Sequence, residues 1–155
     1  MLQTKEWTFI DRSKWRGDAS VADGEPDKLQ WEDKATGLPC LIHRNHGGAL
    51  CGYVGVSKSH PYYEKNYNEV DVDVHGGLTF SDFCGETEES GRGVCHVSDN
   101  HEKVWWLGFD CAHLFDVSPA YDYDLFECSY KDISYVKLQV ESLAKQIHAH
   151  KKEKE

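Results

Sequence analysis

An apolar stripe near the end of the chain places the strongest constraint on its fold. Asp132 stands directly before this stripe and is a suitable helix N-cap. The charged segment 149–155 that follows is expected to fray. A helix with one apolar side must cover a complementary apolar surface, which the rest of the chain has to supply. Six residues form the stripe at helical spacing: Ile133, Val136, Val140, Leu143, Ala144 and Ile147.

Segments typical of β-strands precede this helix. Residues 29–31 and 40–42 flank a turn in which Gly37 supplies a positive φ, and together they predict a hairpin. Leu50–Val56 and residues 104–111 predict two further strands. The sequence therefore predicts an α+β fold: a mostly antiparallel sheet of hairpins with a long C-terminal helix packed on one face.

The length of 155 residues predicts a single globular domain, residues 1–155, which can bury a core without disulfide or metal support. Residues 1–28 form a weakly patterned N-terminal segment. Residues 83–101 are polar and rich in Gly, Glu and Ser, which indicates a surface excursion with a short strand at residues 94–97.

The charge balance restricts the partners. Lys and Arg number 17 against 27 Asp and Glu, which gives a net charge of −10. Nucleic-acid binding requires a basic footprint, and anionic membranes attract basic segments, so neither partner is expected. The sequence contains no apolar run of transmembrane length and no secretory signal at its start. We therefore expect a cytoplasmic protein.

The six cysteines are expected to be mostly small buried residues, because cytosolic thiols stay reduced. No Cys-x-x-Cys pair is present, so the usual signature of a structural zinc site is missing. Cys84, Cys95 and His96 are the least unsuitable ligands for such a site. Cys51 and Cys111 are weak candidates for a nucleophile, because both lie in segments predicted to be buried strands.

Residues 70–75 alternate strictly between valine and polar residues. Valine occupies positions 70, 72 and 74, while Asp71, Asp73 and His75 stand between them. On a strand, alternate side chains point to opposite faces, so this pattern predicts a strand with one packed face and one polar face. The polar face is either solvated or part of a site, and the two glycines after His75 allow the chain to turn there.

A second polar cluster ends the aromatic segment 105–110. Asp110 follows a run that should be interior, where a carboxylate needs hydrogen bonds or a cation. His113 and Asp116 follow within six residues. One interpretation is a structural network in which Asp110 caps the next turn and His113 donates to a carbonyl. The other is a functional site shared with His75.

These residue types suit three kinds of chemistry. His75, Asp110 and His113 are the catalytic candidates, as general bases, acids or their positioning partners. A divalent metal is a candidate cofactor, with ligands drawn from the same three residues and Asp116, although the spacing matches no standard metal motif. The ligand-binding candidates are Asp73, Thr79, Trp106, Asp116, Tyr53 and His60. A wall for a planar ligand, or ordinary core packing, is the expected role of Tyr53, Tyr62, Tyr63, Trp106 and Tyr121.

Five motifs lie along the chain: residues 36–40, Leu50–Val56, His60-Pro61, the HGGLTF motif at 75–80 and the WWLGFDCAH motif at 105–113. In these motifs the chain, from about Trp31 to the C-terminal helix, resembles a family of small uncharacterised proteins encoded by bacteria and their phages. The resemblance implies a location in the cytoplasm of a bacterial host cell, but it implies no activity, because none is established for that family. A glycine often precedes the last Asp of the family signature, and Phe115 stands there in this chain while Asp116 is retained.

Two functions remain open from the sequence. The first is a hydrolase acting on a small polar substrate through the His and Asp residues. The second is a non-catalytic phage or mobile-element protein that sequesters a small-molecule ligand or blocks a host protein. The expected partners are accordingly a small polar molecule or a host protein.

Overall fold

The computed structural model describes residues 4–83, 103–113, 116–121 and 128–150. The predicted strand at residues 94–97 and most of the predicted surface excursion lie outside these ranges. Within them, the chain forms six strands, three short 3-10 helices and one α-helix. The strands are β1 (Lys5–Trp7), β2 (Lys28–Glu32), β3 (Pro39–Arg44), β4 (Leu50–Val56), β5 (Phe80–Phe83) and β6 (Trp105–Asp110). The helices are α1 (Ile133–Ala149) and the 3-10 turns Arg12–Lys14, Ala19–Ala22 and Tyr67–Glu69.

The strands form one antiparallel sheet in the order β1-β2-β3-β4-β6-β5. The predicted hairpin is confirmed, with Leu29 opposite Ile42 and Trp31 opposite Cys40. Gly37 has φ +76°, which suits the turn between the two strands. The strand predicted at Leu50–Val56 is confirmed as β4, and every one of its residues is buried.

Helix α1 packs against one face of the sheet, mainly on β3 and β4, which confirms the predicted α+β fold. The side chain of Asp132 accepts a hydrogen bond from the Tyr135 N–H, as expected for an N-cap. Within the described residues, no helix is long and apolar enough to cross a membrane. The buried helix residues are Val136, Val140, Leu143, Ala144 and Ile147, five of the six predicted stripe positions, and Ile133 packs against the core at its edge.

The opposite face of the sheet carries a second, smaller apolar cluster. Its buried members are Leu41, Cys51, Tyr53 and Trp106. In β6, Leu107 and Phe109 point to the helix side whereas Trp106 points to this second cluster, as the alternation predicts. The sheet is therefore buried on parts of both faces.

The strand predicted at residues 70–74 is not present. The segment is extended, and Val70 and Val74 are buried while Asp71 and Asp73 are exposed, but it belongs to no sheet. It lies against α1, where the Gln146 amide accepts from the Asp73 N–H at 2.7 Å and donates to the Asp73 carbonyl at 2.8 Å. Glutamine side chains therefore take the place of a neighbouring strand.

A buried ionic network joins the N-terminal segment to the sheet and to α1. Asp27 and Arg44 are both buried and form an ion pair at 3.0 Å. Asp27 also accepts from the N–H groups of Phe9 and Ile10 at 2.8 Å and from Arg12 at 2.7 Å. All five N–H groups of Arg44 have an acceptor: Asp27, the Gly48 and Pro26 carbonyls, Tyr130 and Glu25.

These contacts decide the charge state of Asp27. Burial alone would raise its pKa, but the hydrogen bonds from Ile10, Arg12 and Phe9 outweigh burial and hold the pKa below its ordinary value of 3.8. Asp27 is therefore ionised at neutral pH. Its contribution to stability is fully present above pH 3.8 and is lost as the pH falls through the lowered value.

We predict that Asp27→Asn lowers the free energy of unfolding by about 3 kcal/mol at neutral pH, because the buried Arg44 loses one of its two carboxylate partners and Arg12 loses its partner as well. The difference from wild type should shrink as the pH falls below 3.8, where the wild-type carboxylate itself becomes protonated. Urea unfolding at several pH values measures both effects.

The matched control is Asp23→Asn, an exposed carboxylate in the same segment. Its stability should stay within about 0.5 kcal/mol of wild type. Equal losses in the two variants would contradict the role assigned to the Asp27–Arg44 pair.

Candidate functional site

The candidate site lies where three segments meet at the start of α1. The turn after the extended segment carries His75. Asp110 ends β6, and His113 lies in the turn that follows it. Asp116 forms an isolated bridge with Ser129 just before the helix. Four of the predicted metal or catalytic residues, His75, Asp110, His113 and Asp116, are thus brought together.

Both ring nitrogens of His75 are engaged. Its Nε2 lies 2.8 Å from Asp116 Oδ2, and its Nδ1 lies 2.8 Å from the Tyr135 hydroxyl. The backbone N–H of His75 donates to the Gln139 side chain at 2.9 Å. The imidazole is therefore held in one orientation by two side chains from different parts of the chain.

Asp116 is the most heavily bonded group of the site. It receives the His113 N–H at 3.1 Å and forms an ion pair with Lys131 at 3.0 Å, and its side chain is only 2% exposed. Burial alone would raise the pKa of Asp116, but the hydrogen bonds from His75, Lys131 and His113 outweigh burial and lower it. Asp116 is therefore ionised at neutral pH.

The ionised state of Asp116 indicates where the protons lie in the hydrogen bonds that join Tyr135, His75 and Asp116. A carboxylate accepts hydrogen bonds only, so neutral His75 carries its proton on Nε2 and donates to Asp116. Its Nδ1 is then an acceptor, and the Tyr135 hydroxyl donates to it. The result is a directed chain from Tyr135 through His75 to Asp116.

Asp110 and His113 form a second imidazole–carboxylate pair. Asp110 accepts from the Thr79 hydroxyl at 2.9 Å and from the Ala112 N–H at 3.0 Å, so it caps the turn after β6. The buried Nε2 of His113 lies 3.2 Å from Asp110 Oδ1, at an angle that does not make a hydrogen bond. The His113 side chain is 35% exposed, against 16% for His75, so the second pair is the more accessible.

Gly76 explains why a glycine follows His75. It has φ +70°, and a Cβ atom there would overlap the His113 ring. The imidazoles of His75 and His113 consequently lie close together, with ring centroids 6.1 Å apart. Gly77 has φ +78° but nothing within 4 Å of the position of a Cβ.

Of the predicted ligand-binding residues, Thr79 contacts the site through Asp110 and Asp116 belongs to it, whereas Asp73 has an exposed side chain. His60 lies near the other end of α1, where its Nδ1 accepts from the Tyr62 N–H and its Nε2 donates to the Ile147 carbonyl at 2.8 Å. Burial lowers the pKa of His60 and favours this neutral form.

The predicted aromatic wall is not assembled. Tyr62 and Tyr63 pack with the core on the helix side of the sheet, whereas Tyr53 and Trp106 belong to the cluster on the opposite face. Tyr121 is 48% exposed. The sheet separates the two groups, so they do not line one pocket.

Three residues that the sequence did not single out complete the site: Tyr135, Gln139 and Lys131. Tyr135 and Gln139 are four residues apart on one flank of α1, and Gln146 continues the same flank. This polar row beside the apolar stripe is the only sequence signal that indicates Tyr135 and Gln139. Their partner, the extended segment 70–75, could not be inferred from the row itself.

Three of the four described cysteines are buried and unsuited to act as nucleophiles. Cys40, Cys51 and Cys111 are buried free thiols. Burial raises the pKa of each of them, that of Cys51 to about 12, so they are protonated at neutral pH. Cys84, Cys95 and His96 lie outside the described ranges. Among the described residues, no group of three or more His, Cys, Asp or Glu side chains is arranged to hold a metal ion.

Comparisons with known proteins identify no relative. No family model matches the chain, and no curated protein or solved structure is significantly similar to it. The resemblance to small bacterial and phage proteins therefore stays a prediction.

We predict that Gly76→Ala is more destabilising than Gly77→Ala. Both substitutions place a side chain at positive φ, which costs about 1–2 kcal/mol. Only the first also pushes against His113, which adds roughly 1–3 kcal/mol of overpacking. Urea unfolding gives the two free energies, and the NMR signals of the His113 ring should move in Gly76→Ala alone. Equal losses of stability would show that the close packing of Gly76 on His113 is absent.

Proposed function

We propose that this protein is a hydrolase of small polar substrates that uses two imidazole–carboxylate pairs for acid–base catalysis. The observation that carries the proposal is the pairing of Asp116 with His75 and of Asp110 with His113, with the two rings 6.1 Å apart. Hydrolysis needs a base to activate water and an acid to protonate the leaving group, and two adjacent imidazoles supply both.

The surroundings of the two rings suggest how they divide these roles. In its neutral form His75 has an acceptor at Nδ1, and the ionised Asp116 stabilises the imidazolium that forms when a proton arrives, so His75 belongs to the base side. His113 is more exposed, and Asp110 favours a proton on its Nε2. No hydrogen bond holds its Nδ1 within the described residues, so Nδ1 is the nitrogen that can reach a leaving group.

We predict that His113→Ala lowers kcat at least 100-fold, the lower end of the range for general acid–base catalysis. A panel of chromogenic esters, amides and phosphate esters first identifies a substrate of the wild type. The control is His148→Ala, an exposed histidine in the last turn of α1, which should retain full activity. Retention of activity in His113→Ala, or an inactive wild type across the panel, would contradict the proposal.

Asp110→Asn tests whether Asp110 takes part in catalysis or only stabilises the turn after β6. The amide oxygen can still accept from the Ala112 N–H and the amide NH2 can donate to the Thr79 hydroxyl, but the charge that faces His113 is removed. In a hydrolase it should lower kcat with little change in melting temperature. A loss of folding without a specific loss of kcat would assign Asp110 to the turn after β6 alone.

The second candidate function, sequestration of a small ligand, is favoured by a separate groove. A volume of about 760 Å³ lies between the β2–β3 hairpin and the flank of α1 opposite Tyr135, within the usual size range of ligand sites. Leu138 on its rim is 66% exposed. Charged and aromatic side chains line it, among them Trp31, Lys34, Lys137, Glu141 and Lys145.

Native mass spectrometry with elemental analysis distinguishes the candidates. We predict a bare mass for protein purified without chelator or affinity metal, because the hydrolase proposal uses side chains only. A co-purified small molecule would favour sequestration and identify the ligand. A stoichiometric divalent metal would instead support the metal site predicted from His75, Asp110, His113 and Asp116.

A further inference from the structure

We infer that the hydroxyl of Tyr135 is the atom through which the Asp116–His75 pair takes a proton from the attacking water. This inference rests on the proposed hydrolase function and assigns the base to a residue that the sequence motifs do not contain. It follows from which atoms of the hydrogen-bond chain Tyr135–His75–Asp116 already have hydrogen-bond partners and which atom can still accept a hydrogen bond.

His75 has no free nitrogen for a substrate. Asp116 accepts from Nε2 and the Tyr135 hydroxyl donates to Nδ1, each at 2.8 Å. The ring is also fixed on both sides, with Tyr135 edge-on at 5.4 Å and 88°, and His113 at 6.1 Å between centroids. Direct proton exchange with a bound molecule would require breaking one of the two hydrogen bonds.

At the Asp116 end of this hydrogen-bond chain, both carboxylate oxygens already have partners. Its Oδ2 accepts from His75 Nε2 and from the backbone N–H of His113, and its Oδ1 lies 3.0 Å from Lys131 Nζ. The side chain is 2% exposed. A substrate therefore cannot reach the chain from this end.

Tyr135 is the end of the hydrogen-bond chain that a water molecule can reach. A phenolic oxygen that donates one hydrogen bond can still accept another, and Tyr135 lies only partly buried in the first turn of α1. Burial raises the pKa of Tyr135, followed by the effect of the nearby Cys111, so the hydroxyl keeps its proton at neutral pH and has it available for His75. The group is thus poised to pass one proton on as it receives another.

The proton transfers balance as follows. Water donates a proton to Tyr135 Oη while the Tyr135 proton moves to His75 Nδ1, which forms an imidazolium beside Asp116. The water oxygen forms a bond to the electrophilic carbon or phosphorus of the substrate. The bond to the leaving group breaks, and the leaving group takes a proton from the His113 imidazolium. Afterwards His75 returns its proton through Tyr135 to solvent, and His113 takes one from solvent.

We predict that Tyr135→Phe, which removes only the hydroxyl, lowers kcat about 100-fold with little change in KM or melting temperature. The control is Tyr67→Phe, an exposed tyrosine in the 3-10 helix Tyr67–Glu69, which should match wild type. Steady-state kinetics on the substrate found with the panel supplies these values.

A double-mutant cycle with His75→Gln tests the relay itself, because a merely structural hydroxyl would not produce its signature. If Tyr135 acts only through His75, the double variant is no slower than the slower single variant. Multiplied losses would overturn the relay, as would a Tyr135→Phe kcat within about 3-fold of wild type. An active wild type with an active Tyr135→Phe removes the relay alone, whereas an inactive wild type removes the hydrolase proposal as well.

Discussion

The Asp27–Arg44 ion pair is the interaction on which the arrangement of the rest of the molecule depends. Both side chains are fully buried, so each charge needs opposite charges beside it: Asp27 faces Arg44 and Arg12, and Arg44 faces Asp27 and Glu25. Through Asp27 the pair holds the N-terminal segment, and through Tyr130 and Glu25 it reaches the start of α1, where Glu25 accepts the Ile133 N–H at 2.8 Å. The first turn of α1 carries Tyr135, so residues remote from the His75 site determine its geometry.

The parts of the fold that the sequence predicts well are those in which a periodic pattern and its cause lie in the same segment. The stripe of α1 and its cap at Asp132 need only a helix and an apolar surface, and the hairpin needs only two strands and Gly37. The pattern of residues 70–75 shows the limit of this reasoning. A period of two indicates that alternate side chains are buried, but it does not indicate whether the segment packs beside a strand or against a helix. Here Gln146 of α1 satisfies the Asp73 backbone, so the segment is extended without joining the sheet.

The candidate site divides in the same way. His75, Asp110, His113 and Asp116 stand out because charged and imidazole groups beside buried segments require partners, and the structure supplies those partners. Tyr135 and Gln139 do not stand out, because a polar residue on the flank of a surface helix is ordinary. Their importance arises only when tertiary packing lays residues 70–75 along that flank. Tyr53 and Trp106 stand out in the sequence, but aromatic residues in strands pack into a core whichever face they occupy, and these two belong to the cluster opposite α1.

The charges around His75 balance one another, and this balance supports the proposed uptake of a proton by His75. Lys131 balances the buried Asp116 carboxylate, so with a neutral imidazole the Lys131–Asp116–His75 group has no net charge. A proton that reaches His75 gives this group one positive charge in a partly buried place, where its field is weakly screened. In the proposed hydrolysis, attack by water creates negative charge on the substrate at the same moment, and a positive charge that appears only then stabilises the transition state more than the bound substrate. Without Lys131 the carboxylate would lose a hydrogen-bond donor and an opposite charge, and burial would weigh more heavily on its ionised form.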